Sequence, residues 1–403
     1  GKWPDDVECI KRLKTAFYLK IVQVLREDHG LVAYTHVEYL DVLYKGFVFR
    51  LFVYTMNELL SMKTNINEIG VKVTNDTKES LAYEKILLHS GQLTSVVHGL
   101  QQSFNCFSGV CRLAKRWLSS HFLLEYFEEE AIDLICASIF INSYEPPRSL
   151  INGFIQFLNL MANFDWKNQI LLVNFNKELK KQQILDIQVK FQENRSQLQP
   201  VFILTPYDSR DKGSIWTIEK PNIQQLCRTV IIAKQSLNKV KNCVINFETN
   251  DSFKNIFRPN LAIYDVIISL NAALCVRAFQ KVDICKGTFL PRYRTYDSTD
   301  NDKTLPVVGF DPVELYVKEL REAFDEIALF FYDVYGSTKV YVLWKPDALK
   351  QKELKINNAK YRLIDINTNE FVLNLEAIIE DFKIIGNELV ENVTVKNESS
   401  IFK

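Results

Sequence analysis

The 403-residue sequence has no excess of either charge, with 49 Lys and Arg set against 49 Asp and Glu. A general positive field is therefore absent, and any contact with nucleic acid must come from a local patch. None of the eight cysteines (Cys9, Cys106, Cys111, Cys136, Cys227, Cys243, Cys275, Cys285) belongs to a CxxC pair. Scattered among apolar residues, they suit reduced, buried thiols better than a disulfide framework. No apolar run is long enough to span a bilayer; "LICASIFI" is among the longest. The given sequence opens on "GKWPDD", with neither an initiator Met nor a signal-peptide pattern, and we expect it to be the later part of a longer protein. No GxSxG, P-loop, GxGxxG, HExxH or EF-hand pattern occurs, so the common motif-bearing hydrolases and nucleotide binders lack support. Fixed-period repeats and low-complexity tracts are also missing.

What is present is a rich supply of core. Hydrophobic residues make up 47% of the chain and aromatic ones 12%, including 27 Phe and 17 Tyr. Such a chain folds, and its length allows two or three domains. Pro4, Asp5 and Asp6 open a helix whose apolar letters are Ile10, Leu13, Phe17, Ile21, Val24 and Leu25, with Gly30 as the stop. Residues 31–55 are β-rich and predict a hairpin bent at Tyr44-Lys45-Gly46. Residues 57–80 are polar and predict a loop. From 81 to 165 five segments each offer one apolar stripe, which predicts a helical region. Short strands follow at "QILLVNF" and "PVFILTP", flanking a polar helix over 177–197, and "IQQLCRTVIIAKQSLNKV" adds another helix. Beyond 250, strands at "YDVIISL", "EIALFFYDVYG", "TKVYVLWKP", "YRLIDI" and "EFVLN" alternate with helices at 312–325 and 374–390. That texture predicts a twisted sheet with helices on one face. Trp166 and Trp344, beside Lys, are expected to pack with one wet edge.

Residues 89–121 hold three of the five histidines, His89, His98 and His121, with Cys106 and Cys111. Zinc ligands usually come in pairs on one turn or one helical face. Here no two fall on adjacent turns facing the same way, so buried or capping roles are expected instead of a metal site. Glu128, Glu129 and Glu130 sit where a helix dipole favours them. Arg112, Lys115, Arg116 and Ser119 are expected on the face opposite Val110, Ala114 and Trp117. Such a stripe can dock phosphates, although an ordinary solvated face reads the same. Residues 286–304 interleave Lys286, Arg292 and Arg294 with Tyr293 and Tyr296, a composition shared by single-stranded RNA binders and plain surface loops.

Taken together and in order, "GKWPDDVECIKRLKTAF", "DVLYKGFVFRLFV", "LTSVVHGLQQSFNCFSGVCRLAKRWLSSHFL", "FDWKNQILLVNFN", "FRPNLAIYDVIISL", "VVGFDPVELYVKELREAFDEIALFFYD" and "VLWKP" resemble the C-terminal half of the Nrap, or nucleolar protein six, family. The resemblance implies an α+β chain with a tandem pseudo-nucleotidyltransferase architecture. Residues 1–78 would be the later part of a truncated nucleotidyltransferase-like domain, the fourth of the family. Residues 79–248 would be the fifth, a mainly helical poly(A) polymerase/OAS-like domain, and 249–403 the sixth, a C-terminal α+β sandwich-like domain. An active nucleotidyltransferase grips two metal ions with carboxylates, the third typically on a strand following a hairpin. By the register of "GFVFRLFV", Arg50 falls at that position. A guanidinium cannot bind Mg²⁺ and repels it. No acid lies between Phe47 and Val53, and Asp41, the nearby substitute, would need a register shift. The resemblance thus implies a pseudoenzyme with no cofactor, metal, membrane or small-molecule substrate. Its expected setting is the nucleus and nucleolus, in the UTP-C subcomplex of the small-subunit processome. Its expected partners are that complex's protein subunits and the pre-rRNA and U3-containing RNA. Arg112, Lys115, Arg116, Arg292 and Arg294 are the candidate RNA-phosphate contacts; the alternative is an active template-independent nucleotidyltransferase.

Overall fold

The computed structural model describes residues 3–4, 6–66, 72–74, 76–207, 214–245, 253–275, 305, 307–350, 361–365 and 370–396. The chain divides into two compact units, Gly1–Phe17 with Phe52–Pro259, and Tyr18–Leu51 with Asn260–Lys403. The architecture is α+β, rich in helix with small sheets. Among the described residues no helix is long and apolar enough to cross a membrane.

Helix α1 (Val7–Glu27) forms where expected, but with a different inner face. Ile10, Tyr18 and Val22 are buried, whereas Leu13, Phe17 and Val24 remain exposed. Strands β1 (Val32–Thr35), β2 (Leu40–Tyr44) and β3 (Phe47–Leu51) form an antiparallel sheet in that order. The β2–β3 turn is the two residues Lys45 and Gly46, both at positive φ (51° and 84°). That left-handed pair matches the twist of the flanking strands.

The loop expected over 57–80 is instead partly a helix. Thr55 caps α2 (Met56–Lys63) by accepting from the Glu58 N–H, and Leu59 anchors it in the core. A short hairpin, β4 (Thr64–Ile66) with β5 (Lys72–Thr74), follows. Helix α3 (Lys78–Glu84) passes through a π-helical stretch at Lys85–Ser90 into α4 (Gly91–Ser103), so two expected helices form one run.

The helical core is built from α5 (Phe107–Ser120), α6 (Glu129–Asn142) and α7 (Leu150–Asn163). Trp117, Phe154 and Phe157 are fully buried there. α5 and α7 approach closely because Gly153 has no side chain; a Cβ on it would lie 2.4 Å from Val110 Cγ2. Strands β6 (Leu171–Leu172) and β7 (Ile203–Leu204) pair in parallel beside α8 (Lys181–Glu193), shorter than the expected 177–197. Leu179, Ile187, Phe191 and Phe202 give this corner its own small core. Arg195 ties its loops together by donating to the carbonyls of Trp166, Lys167, Leu198, Gln199 and Pro200. Helix α9 (Ile223–Ile245) closes the unit, and Trp117 Nε1 donates to Ser236 Oγ on it at 3.0 Å.

In the second unit β8 (Val266–Leu270) is followed by α10 (Pro312–Phe324), β9 (Ala328–Phe331) and β10 (Lys339–Trp344). Then come a short helix α11 (Pro346–Leu349), the hairpin β11 (Arg362–Asp365) with β12 (Glu370–Leu373), α12 (Leu375–Gly386) and β13 (Val390–Val395). The helix expected over 374–390 ends at Gly386, and the chain continues into β13, an edge strand that reasoning from sequence missed. The main sheet has the order β13-β8-β10-β9, antiparallel throughout. With α10 after β8 and α12 before β13, this is the split βαβ, or ferredoxin-like, arrangement. Alternate strand residues such as Val266, Ile268, Val340, Val342 and Phe330 meet Leu320, Phe324 and Phe382 of the helices. On the opposite face Tyr341 and Phe331 are also covered, with Tyr264 5.3 and 5.4 Å from their rings. Neither Trp166 nor Trp344 keeps a wet edge: both are buried, Trp166 donating to the Met161 carbonyl and Trp344 stacking on Phe382.

Candidate functional site

A two-residue turn fixes the β2–β3 register, because cross-strand partners then count outward evenly from Lys45 and Gly46. Tyr44 faces Phe47, and three steps further Asp41 faces Arg50. Asp41 is buried at 4% exposure. Arg50 reaches across the ladder with its fork, Nε donating to Oδ1 and Nη2 to Oδ2, both at 2.9 Å. The hydrogen bond to Asp41 is the chief reason the guanidinium holds its proton even above its ordinary value. Its central carbon, Cζ, lies over the Tyr39 ring, 3.7 Å from the centre. His36 stacks on the same ring at 4.4 Å, with Nε2 3.7 Å from Asp41 Oδ2. Arg26 adds a second guanidinium, donating to the Ala33 carbonyl and lying over Tyr34.

The consequence is chemical. A bidentate guanidinium takes up both oxygens of the buried carboxylate in the plane a metal ion would use. Asp41 needs no register shift to reach the Arg50 position, since it already lies opposite; it serves Arg50 rather than replacing it. The signal was present in the sequence, since a Lys-Gly turn alone sets the pairing. Tyr39, His36 and Arg26 carried no such signal.

The basic stripe of α5 is reorganised by its neighbours. Lys115 Nζ lies 3.1 Å from Glu129 Oε2 and 3.1 Å from Asp133 Oδ2, both on α6. Burial weakens the hold of Lys115 on its proton, and the charges of Asp133 and Glu129 more than offset that, so its pKa rises. Two carboxylates thus occupy the ammonium of Lys115, one of the residues expected to contact phosphate. Ser119 is fully buried and so does not share the solvated face. The reason is that α5 packs against α6 on one side and α7 on another, which widens its inner arc beyond one stripe. Arg112 and Arg116 do lie on the exposed face. Arg292 and Arg294 lie outside the described residues.

The histidine and cysteine letters do not converge. His98 is exposed, Cys106 Sγ donates to the Pro147 carbonyl at 3.3 Å, and Cys111 is buried. His121 Nε2 is 2.9 Å from the Ile256 carbonyl, which can only accept, so that nitrogen carries the proton. Burial is the main force lowering the His121 pKa. Among the described residues no group of three or more His, Cys, Asp or Glu is placed to hold a metal ion. Among the described residues no disulfide forms, and Cys9 and Cys227 are exposed where burial was expected. Glu128 and Glu130 stand at the start of α6 without the side-chain cap bond expected of them; both pair with Lys85, and Glu128 also pairs with Lys220.

Three family models match consecutive stretches: Nrap protein nucleotidyltransferase domain 4 over residues 1–102, Nrap protein PAP/OAS1-like domain 5 over 104–259, and Nrap protein domain 6 over 261–393. Together with the folds above, they define a nucleotidyltransferase-like chain of several domains. The chain belongs to the Nrap family. It is 39% identical to Nucleolar protein 6 of Xenopus laevis over 402 residues and 37% identical to that of Homo sapiens over 402 residues. Against Nucleolar protein 6 of Drosophila pseudoobscura pseudoobscura the identity is 28% over 412 residues. Each comparison covers 99% of this chain, and the chain spans only 35%, 35% and 33% of the three relatives.

Proposed function

We propose that this chain is part of a non-catalytic nucleolar scaffold acting in ribosome biogenesis, within the UTP-C subcomplex of the small-subunit processome. There it supports pre-rRNA processing and assembly of the small ribosomal subunit. In this reading residues 1–78, 79–248 and 249–403 are three inherited domains, the first derived from a nucleotidyltransferase. The relatives' name supports the nucleolar setting, and the observation that carries the loss of chemistry is the Arg50–Asp41 fork. Where transfer chemistry needs acids converging on a divalent ion, this hairpin places one acid already neutralised by a resident cation. RNA contact in this reading runs through phosphates and shape, with Arg112, Arg116, Arg292 and Arg294 as candidate contacts. The test is to incubate the intact protein with Mg²⁺, labelled nucleotides and an RNA primer. No extension is expected, and template-free extension would overturn the reading in favour of an active nucleotidyltransferase.

A further inference from the structure

Helix α9 carries Arg228, Lys234, Lys239 and Lys241 and no carboxylate over Ile223–Ile245, in a chain whose total charge is zero. Its buried arc is Leu226, Ala233, Ser236, Leu237 and Val240. The three lysines lie on the exposed arc, and none of them makes an ion pair with a described residue, whereas Lys115, Lys85 and Lys220 are all claimed by acids at the start of α6. The segment 253–259, packed near the end of α5, contains Lys254 and Arg258 and no acid of its own; Glu248 and Asp251 fall outside the described residues. The positive field reaches inward as well. Burial is the largest influence on His121, and the charges of Lys239 and Arg228 push its proton affinity the same way.

We propose that the outward face of α9 is a phosphate-contact surface for double-helical RNA, with Lys234, Lys239 and Lys241 touching the backbone and no base being read. The proposal rests on the RNA-contacting scaffold reading above. Lys234 and Lys241 share one edge of the exposed arc, seven residues and about 10 Å apart along the axis, and Lys239 lies on the opposite edge, about 140° round from Lys234, so the helix meets backbone phosphates on both of its flanks. Base-stacking recognition of single strands needs aromatic platforms, and α9 has no Phe, Tyr, Trp or His. Its exposed Ile223, Ile231 and Ile245 stand about 12 and 21 Å apart in sequence order, too sparse for the continuous apolar seam a protein partner would use.

The experiment measures binding of the intact protein to a 20-base-pair RNA duplex, a 20-nucleotide oligo-U and polyglutamate, over a series of salt concentrations. It compares wild type with the triple variant Lys234→Glu/Lys239→Glu/Lys241→Glu and its Gln counterpart. Arg112→Glu/Arg116→Glu is measured alongside as the rival phosphate-contact patch, and unchanged melting temperatures establish folding. The triple Glu variant is expected to weaken duplex binding at least about tenfold. The salt slope should become shallower by about two to three units, near 0.9 for each phosphate that is no longer neutralised; the Gln variant should move the same way by less. Unchanged duplex affinity and slope, or a weakening confined to oligo-U, would overturn the α9 surface while leaving RNA contact elsewhere intact. Loss of polyglutamate binding alone would overturn it in favour of an acidic protein partner. Failure of the wild type to bind either RNA would overturn both this surface and the reading beneath it.

Discussion

On β3 a guanidinium sits 2.9 Å from each oxygen of a buried carboxylate and is stacked on a tyrosine. On α9 three lysines point outward from a helix with no acid of its own. The same residue class does opposite work in these two regions. Arg50 has given up most of its water and is held by geometry, so its charge is spent within the fold. The α9 lysines keep their solvation and an unspent charge that a polyanion can use by releasing counterions. Lys115 belongs with Arg50, although its helix looked like the exposed kind: two carboxylates from α6 claim it. Neighbours, rather than local composition, decide which cations remain available.

The largest expected effect comes from the scaffold that holds Lys115 and the α9 lysines. Trp117→Ala removes a fully buried indole and its bond to Ser236. It should cost about 4 kcal/mol in urea unfolding of the first unit, and a loss below about 1 kcal/mol would mean that α5 and α9 are not held by this contact. Next in size is Arg50→Ala, which strands Asp41 as a buried unpaired charge and should cost about 3 kcal/mol. Arg50→Met with Asp41→Leu should recover most of that loss in the same unfolding measurement. A double variant no more stable than Arg50→Ala would refute the account of a pair whose members mainly need each other.

Lys115→Gln separates the two kinds of cation directly. It should lower stability by about 1–2 kcal/mol, since Asp133 and Glu129 lose their counter-ion, and leave duplex RNA affinity unchanged. A fall in RNA affinity at constant stability would return Lys115 to the phosphate-contact class. The smallest effect concerns pH. The folded His121 pKa lies below its ordinary 6.5, so the unfolded chain takes up that proton first as pH falls. Stability from this group is therefore full above about 6.5. It declines as pH drops from there toward the folded value, by at most about 1.4 kcal/mol per pH unit for one proton. Wild-type and His121→Gln unfolding curves between about pH 7.5 and 5 should differ by that slope, and parallel curves would contradict it.

Much of the fold is legible in the sequence. The positions of α1, α5, α9 and α10 follow from apolar spacing, and the β2–β3 hairpin follows from Lys45-Gly46. The failures have a common cause. The apolar letters of residues 56–63 (Met56, Leu59, Leu60, Met62) are masked by the polar run that follows them, yet Thr55 as a cap and Leu59 as an anchor set a helix there. In β13 the pattern Val390, Val393 and Val395 is too sparse to reveal an edge strand that borrows its partner from β8, far earlier in the chain. At the candidate site, Arg50 could be named from the strand register, and Asp41 from the turn. Tyr39 and His36 required the folded loop between β1 and β2.

By itself, the sequence determined that this is a charge-balanced, aromatic-rich α+β chain, and that an arginine occupies a hairpin position opposite an aspartate. Those properties are local, set by composition, periodicity and a two-residue turn. Only the tertiary structure decided which cations are consumed and which remain available. Ion pairing acts over a few ångströms between residues such as Lys115 and Asp133, whose separation along the chain says nothing of their separation in space.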